Sequence, residues 1–410
     1  MTAPPFPASR RSLVCLLAAQ TQVAFNDNAA KLMLLALAQF PGVLPAQRVE
    51  LIVTLLPTLL VLPFIAFSPV AGWVSDRFSK WWVINFALFL QVVLMAGVAA
   101  ALWAHSLKAS CVIFFLLALQ ATIFAPAKRG ILKELVGSEK LGSAVGWMEM
   151  LGVAAILGGG FAGGQMFDHW TKLSGGDPWH GALIVSMVLT FLAALGWLFG
   201  QGVVRTAPQS AEPYSGGLWF RHADQLGELW RSKPLFRAGL GVTWFYLLGG
   251  MLYLIVVEIG REMYGGDIGS SSSSGFWLLL MGLGTVAGTL TAGAICRRSI
   301  ELGLIPLASI GLAAGLMVLG CAVPRSPWFY TGLVGIGFSG GIFLVPLYAY
   351  LQDKAGSARR GRILAGVGLA AGVIDDRIFV AIVVMALVTS IMAGPMMNWL
   401  LSDRIAEARE

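Results

Sequence analysis

The chain has 410 residues; 57% are hydrophobic, only 12% are charged, and the mean hydropathy is +0.78. Soluble globular proteins carry about 25% charged residues, so this composition excludes an ordinary soluble domain and predicts an all-α, polytopic membrane protein. The formal net charge of +7 comes from short loops between apolar segments, where Lys and Arg orient membrane helices and contact anionic lipid headgroups. We therefore expect membrane lipids as partners and no nucleic acid.

Eleven apolar segments are long enough to cross a bilayer, which takes about 20 residues each. Six precede a polar stretch and five follow it. Their ranges are 13–39, 51–72, 82–104, 109–127, 141–165, 181–203, 237–259, 275–296, 303–323, 328–351 and 378–401. A further segment, 363–374, is too short to cross unaided, so the sequence predicts eleven or twelve spans with the eleventh truncated. The five serines at 270–274 predict an outer loop.

The polar stretch at residues 205–236 is predicted to be a linker between an N-terminal six-helix bundle, 1–204, and a C-terminal bundle, 237–410. Basic residues are concentrated in this linker and in alternate loops, which predicts that the linker and the N-terminus are cytoplasmic. The loops assigned to the opposite side hold only Arg48, Lys108, Lys172, Arg261 and Arg325.

Two motifs recur at nearly the same separation in the two bundles. Gly72-x-x-x-Asp76-Arg77 recurs 221 residues later as Gly293-x-x-x-Arg297-Arg298, and Pro126 recurs 220 residues later as Pro346. Parallel repeats are typical of transporters in which two six-helix bundles rock around a central site. The pattern therefore favours a transporter.

Near the middle of the first segment lie Asn26-Asp27-Asn28 and, four residues after the acid, Lys31. A charged side chain at the bilayer centre costs about 2.5–3.5 kcal/mol on insertion scales. Asp27 and Lys31 share a helix face and could simply neutralise each other. Alternatively, they line a polar cavity in which Asp27 and the asparagines contact a substrate headgroup and Lys31 attracts its phosphate. An acid at this depth is also a candidate proton-coupling site.

The loop Gly72-Trp-Val-Ser-Asp76-Arg77-Phe-Ser-Lys80 resembles the signature loop of the major facilitator superfamily, although Ser79 stands where a second glycine is common. The resemblance implies a fold of two six-helix bundles. Gly72 then permits close helix approach, while Asp76, Arg77 and Lys80, with Arg297 in the repeat, lock one side closed. The alternative interpretation is a basic loop that only sets topology.

Within that superfamily the chain resembles the bacterial lysophospholipid transporter family over about residues 12–362. Four stretches carry the resemblance: Phe25 to Lys31, Pro126 to Leu135, Gly146 to Glu149 with the glycines of 158–164, and Gly340 to Leu347 with Gln352. Val145 and Tyr348 depart from it, since asparagine is common at both positions. The resemblance implies a secondary carrier of lysophospholipid, of the lysophosphatidylethanolamine type, in a bacterial inner membrane, without a cofactor and with a separate acyltransferase as a partner. The sequence carries no signal for an oligomer, and we expect a monomer.

Two further charged positions are candidates for the cavity wall. Glu149 lies on the order of 12 Å from the cytoplasmic end of the fifth span, and we expect it to line or gate the cavity. Lys128 and Arg129 follow Pro126 at the predicted cytoplasmic end of the fourth span. They either contact the substrate headgroup or only set topology.

The last 45 or so residues do not fit this family. Residues 368–395 look instead like the closing helices of a cation/proton antiporter membrane domain. The ion-binding acids of such proteins lie in earlier helices and have no counterpart here, so antiport chemistry is not carried over. We infer a replaced or fused C-terminus over residues 363–410.

The sequence leaves three alternatives to a lipid carrier. A proton-coupled exporter of amphipathic drugs would have the same architecture. An acyltransferase would need a His with an Asp five residues later, and none of the four histidines has one, so we predict no enzyme, no catalytic residue and no metal. The altered C-terminus would also be compatible with an inactive membrane scaffold.

Overall fold

The computed structural model describes residues 10–210, with gaps between positions 46 and 65, and residues 232–263 and 268–367. The predictions about the C-terminus from residue 368 onward lie outside the described residues, as do those about most of the linker.

Ten α-helices and a short 3₁₀ turn have defined bounds in this part of the chain, and it contains no β-strand. In chain order they are α1 Arg10–Gln39, α2 Ser68–Arg77, α3 Lys80–Trp103, α4 Leu107–Val136, α5 Leu141–Leu173, α6 Pro178–Gln201, α7 Lys233–Met263, α8 Ile268–Ile295, α9 Leu304–Cys321 and α10 Pro327–Lys354. A 3₁₀ turn, Ser357–Arg359, leads into helical residues 360–367. The predicted all-α fold is confirmed.

Eight of these helices, α3 to α10, are long and apolar enough to cross a membrane. Helix α1 has 30 residues, which is also sufficient length. Its polar residues make it less apolar than the other long helices, and they include Asn26, Asp27, Asn28 and Lys31, which the sequence singled out. The chain is therefore a multi-pass membrane protein whose first helix is unusually polar.

Several helices begin at residues whose side chains cap them. Asp177 accepts hydrogen bonds from the backbone N–H groups of Trp179 and His180, and Ser326 accepts one from Phe329. In both cases a proline follows the cap, where its fixed φ suits the first helical position and its missing N–H costs nothing. The starts of α6 and α10 are therefore set by local sequence.

Close helix contacts hold each bundle together, and glycines make the closest of them possible. Helix α1 packs against α5 and α6, while α10 packs against α8 and α9. A Cβ added to Gly159 or Gly163 would collide with the α1 backbone at Phe25 or Ala29. The glycine run in α5 is thus a helix-packing surface, as small residues commonly are between membrane helices.

The two bundles meet along α5, which packs against α8 and α10, and along α4, which contacts α10. At this seam a Cβ on Gly146 would lie 2.6 Å from the Cα atom of Gly293. Pro126 and Pro346 lie inside α4 and α10, on opposite sides of the seam.

Two details of the helix boundaries differ from the sequence prediction. The prediction of an outer loop at residues 270–274 is wrong, because α8 already begins at Ile268. Helix α4 continues past the predicted end at residue 127 to Val136, so Lys128 and Arg129 lie inside a helix rather than at its end.

Candidate functional site

Charged and polar side chains from both bundles form a cluster at the seam, named here the central cluster. From the N-terminal bundle it contains Asp27 and Gln20 of α1, Gln91 of α3, Lys128 and Arg129 of α4 and Glu149 of α5. From the C-terminal bundle it contains Tyr246 of α7 and Tyr348 of α10.

Asp27 is held by an amide and not by a cation. Gln91 Nε2 donates to Asp27 Oδ1 over a long 3.4 Å. Lys31 Nζ donates instead to Asn28 Oδ1 at 3.0 Å, and among the described residues Asp27 forms no ion pair. Asp27 and Lys31 share a helix face, but they do not form the direct ion pair by which they would neutralise each other. Asp27 retains acceptor capacity for a ligand.

The two asparagines beside Asp27 serve the helix packing. Asn26 is fully buried and donates to the Leu189 carbonyl of α6 at 2.7 Å. Asn28 donates to the Ala24 carbonyl one turn back in its own helix at 2.9 Å. Of the three residues, Asp27 is the one that the structure places in the central cluster.

Lys128 lies eight residues before the end of α4, on the order of 12 Å inside it. Its Nζ donates to Gln20 Oε1 at 3.3 Å, and Gln20 Nε2 in turn donates to the Met148 carbonyl of α5 at 2.8 Å. Three helices therefore orient one ammonium group, and its other two donors form no hydrogen bond with the part of the chain that the structure describes, so they can bind an anion.

Arg129 joins the two bundles. Its Nη2 lies 3.4 Å from Glu149 Oε1, and its guanidinium lies 4.2 Å from the centre of the Tyr348 ring. The Tyr348 hydroxyl is in turn 3.2 Å from that of Tyr246. The Arg129 Nε is buried and has no partner within the described part of the chain.

Three cations, Lys31, Lys128 and Arg129, therefore face two acids, Asp27 and Glu149, in this region. A partly buried cation excess attracts an anion, and guanidinium and ammonium groups suit phosphate. An unpaired carboxylate nearby suits a cation. The chemistry matches a zwitterion or a phosphodiester better than a neutral solute.

A second set of charged contacts closes one end of the seam, named here the closed face. It comprises residues 72–80, which the structure places in the end of α2 and the start of α3 rather than in a loop, together with the end of α4, the end of α10 and the start of the helical residues 360–367. Asp76 is 1% exposed and accepts the backbone N–H groups of Gly361 at 2.7 Å and Arg362 at 3.1 Å. Its carboxylate thus caps the start of a helix in the opposite bundle.

Further ion pairs surround this contact. Lys80 is fully buried and lies 2.6 Å from Glu134, which also pairs with Arg360 at 3.6 Å. Lys133 pairs with Asp353 at 3.0 Å. Every ion pair that links the two bundles within the described ranges lies at this face.

Other predicted gating residues take part to different extents. Gly72 is buried, and its carbonyl would lie 2.9 Å from a Cβ on Gly361. Arg77 is half-buried and Arg297 is exposed; neither forms an ion pair with any residue that the structure describes. The Gly72–Arg77 motif therefore contributes contacts between the bundles through Asp76, whereas the corresponding Arg297 of the repeat forms no ion pair among the described residues.

Sequence reasoning missed the two amides and Tyr246 of the central cluster, and it named Tyr348 only as a departure from the family pattern. Gln20 and Gln91 are polar residues inside apolar helices, which is a usable signal. Tyr246 carries no such signal. The partners of Asp76 lie 285 and 286 residues away, a separation that no local pattern reveals.

Comparison with known proteins gives two kinds of match. A family profile described as Major Facilitator Superfamily matches residues 23–374. The lysophospholipid transporter LplT of Shigella boydii serotype 4 (strain Sb227) is 29% identical over 377 residues, covering 88% of this chain and 84% of the relative. LplT of Yersinia pestis (strain Pestoides F) is 29% identical over 383 residues, covering 90% and 83%.

Solved structures share the fold at low sequence identity. The human organic anion transporter MFSD10 superposes with a TM-score of 0.69 at 16% identity, covering 90% of this chain and 92% of that one. The Escherichia coli fucose:proton symporter FucP gives a TM-score of 0.69 at 14% identity, covering 94% of each chain. Both neighbours and both relatives are described as transporters. The family match over residues 23–374 supports the prediction that the chain is not an enzyme.

Proposed function

The chain belongs to the major facilitator superfamily, and from that premise we propose that this transporter carries lysophospholipid between the leaflets of a bacterial inner membrane. The observation that carries the proposal is the placement of Lys128 and Arg129 deep inside α4 at the seam between the bundles. Arg129 faces Glu149, whereas Lys128 donates to the neutral Gln20 and has no ion pair among the described residues. The pair of cations therefore attracts a further anion, and a lipid phosphate supplies one.

The remaining members of the central cluster match the rest of such a ligand. Asp27, which has no ion-pair partner within the described residues, accepts hydrogen bonds from the ammonium of an ethanolamine headgroup. Tyr246 and Tyr348 offer hydroxyl groups and ring faces from the opposite bundle. The relatives' printed name, lysophospholipid transporter, supports this choice of substrate.

The contacts also suggest which state of the transport cycle the structure represents. The ion pairs between the bundles lie at the closed face, which the distribution of basic loops assigns to the cytoplasm, together with the N-terminus. On this assignment the structure is closed to the cytoplasm, the state that receives substrate from the outer leaflet. Opening the closed face then releases the lipid to the inner leaflet.

A proton-coupled exporter of amphipathic cations is the second candidate. The observation that favours it is the weak partnering of Asp27, whose hydrogen bond is to Gln91 at 3.4 Å. A carboxyl group held in this way is suited to exchange a proton for a cationic substrate. Such an exporter would need Asp27 but would not distinguish phospholipid headgroups.

The deciding experiment is headgroup-resolved uptake of labelled lysophospholipids into spheroplasts that express the full chain. Lysophosphatidylethanolamine, lysophosphatidylglycerol and lysophosphatidylcholine are compared for the wild type, Asp27→Asn and a control, Asp168→Asn, whose acid lies exposed near the end of α5. We expect headgroup-selective uptake that Asp27→Asn reduces at least tenfold and Asp168→Asn leaves unchanged.

Uptake that ignores the headgroup, or that survives Asp27→Asn, would contradict the lipid proposal. Gradient-dependent efflux of a cationic dye, lost in Asp27→Asn and retained in Asp168→Asn, would select the exporter instead.

A further inference from the structure

A large groove runs along the outer side of the N-terminal bundle, away from the central cluster. It has a cavity volume of about 790 Å³, within the roughly 300–1,000 Å³ of a typical small-molecule pocket. Its floor is one side of α1, and its walls come from α5 and α6. The wall residues are Trp147, Leu151 and Leu192, and the floor residues are Arg10, Leu13, Val14, Leu17, Ala18, Thr21, Gln22 and Phe25.

The groove exists because α5 and α6 each cross α1 closely in one region. Gly159 of α5 packs on the α1 backbone at Phe25, and Gly196 of α6 packs on the side chain of Gln22. From there toward the start of α1, its outer side lies open between the two helices, and Val14 is 57% exposed. Successive helix residues are 100° apart, so the groove side is distinct from the side that carries Asp27.

The length of the groove matches one leaflet. Arg10 and Phe25 are 15 residues apart, or about 22 Å along a helix at 1.5 Å per residue. Half of a bilayer, including its headgroup region, is about 20–22 Å thick. A chain lying in the groove would therefore extend from the headgroup level to the bilayer midplane.

The chemistry along the groove changes from one end to the other. Arg10 lies at the mouth with Arg11 next to it in the sequence, and no acidic residue is found among the lining residues of the described chain. The wall and most of the floor are apolar. A cation at the surface followed by an apolar trough complements an anionic headgroup followed by an acyl chain.

We propose that this groove binds a resident anionic phospholipid of the leaflet at the closed face, with its phosphate at Arg10 and one acyl chain along Val14, Leu17 and Leu151. The site is separate from the transport site and does not depend on which substrate is carried. A bound lipid there fills the gap between α5 and α6 and so stabilises the packing of both helices on α1.

The test is native mass spectrometry and lipid extraction of the full chain purified in mild detergent, after washing until bulk lipid is removed. Val14→Trp fills the groove, and Arg10→Gln removes the charge at its mouth. Val93→Trp is the matched control, since Val93 is a 50% exposed valine on α3, outside the groove. Added phosphatidylglycerol and phosphatidylcholine vesicles are used to reload washed protein.

We expect about one diacyl phospholipid per chain in the wild type and in Val93→Trp, at least a fivefold loss in Val14→Trp, and loss of the preference for phosphatidylglycerol in Arg10→Gln. Equal lipid content in Val14→Trp and Val93→Trp would overturn the proposal. So would a retained lysophospholipid, since the groove would then belong to the transported substrate. Because the readout is lipid content and not uptake, it is independent of the transport assay.

Discussion

The closed face and the central cluster both bury charged side chains, but they partner them differently. At the closed face Asp76 accepts two backbone N–H groups and Lys80 lies 2.6 Å from Glu134. In the central cluster, by contrast, Asp27 and Lys128 form long hydrogen bonds of 3.4 and 3.3 Å, and Arg129 lies 3.4 Å from Glu149 and over the Tyr348 ring. A buried charge needs partners; the closed face supplies them internally, whereas the central cluster leaves capacity for a ligand.

This difference predicts that substitutions at the closed face change which state the protein occupies, while substitutions in the central cluster change what it binds. Cys296 provides a reporter for the first effect. Cys296 is fully buried at the seam. A Cβ added to Gly142 would lie 2.5 Å from the Cβ of Cys296. Maleimide should therefore reach Cys296 only when the closed face opens.

The largest effect is expected for Asp76→Ala. It leaves the buried N–H groups of Gly361 and Arg362 without their acceptor, and breaking a buried pair costs about 3–5 kcal/mol. In a background without Cys15, Cys111 and Cys321, we expect Cys296 labelling to accelerate by about 100-fold or more. Asp76→Asn, which keeps one acceptor oxygen, should label at an intermediate rate. If Asp76→Ala labelled as slowly as the wild type, Asp76 would not hold the closed face shut.

The next effect is expected for Lys128→Gln. Hydrogen bonds to charged groups contribute about 1.5–3 kcal/mol, so the apparent affinity for lysophospholipid should fall by roughly 10- to 100-fold. Cys296 labelling should not change. Lys133→Gln is the control, because Lys133 lies on the same helix but pairs with Asp353 at the closed face. If both variants lost affinity equally, the distinction between the two regions would fail.

Gly146→Ala should also favour opening of the closed face, but less than Asp76→Ala does. Its Cβ would lie 2.6 Å from Gly293 Cα and 2.9 Å from the Thr289 carbonyl, and overpacking of this kind costs about 1–3 kcal/mol. We expect roughly tenfold faster labelling of Cys296. Gly152→Ala in the same helix has nothing within 4 Å of its Cβ and should label like the wild type.

The smallest effect is expected for Arg297→Gln. In the repeated motif Arg297 occupies the position that corresponds to Asp76, but its side chain is exposed. Substitutions of exposed residues usually change the free energy of unfolding by no more than about 0.5 kcal/mol. Uptake, thermal stability and Cys296 labelling should all be unchanged. A clear change in labelling would mean that Arg297 gains a partner in another state of the cycle.

The sequence was a good guide to the helices and to one motif. Apolar length located the eight candidate spans found among the described residues, and the spacing around Asp76 identified a residue that does join the bundles. It failed at 270–274, where a run of serines suggested a loop although helix α8 continues through it. Serine is only mildly unfavourable in helices, and tertiary context decides such cases.

The partners within the central cluster could not be predicted in the same way. Helical spacing paired Asp27 with Lys31, yet Lys31 contacts Asn28 and Asp27 contacts Gln91 of another helix. Spacing along one helix says which residues share a face, but rotamers and neighbouring helices decide which atoms meet. The joining of Arg129 to Tyr348 depends on the docking of two bundles and has no local signal.

Asp76 also makes a contact with its main chain, since its carbonyl accepts the backbone N–H groups of Gln209 and Ser210 at the start of the linker. One residue thus holds the opposite bundle with its side chain and the linker with its backbone. We expect the closed face to open by breaking these bonds in one step, which predicts a large activation enthalpy for that step. Transport should slow on cooling much more steeply than substrate binding weakens.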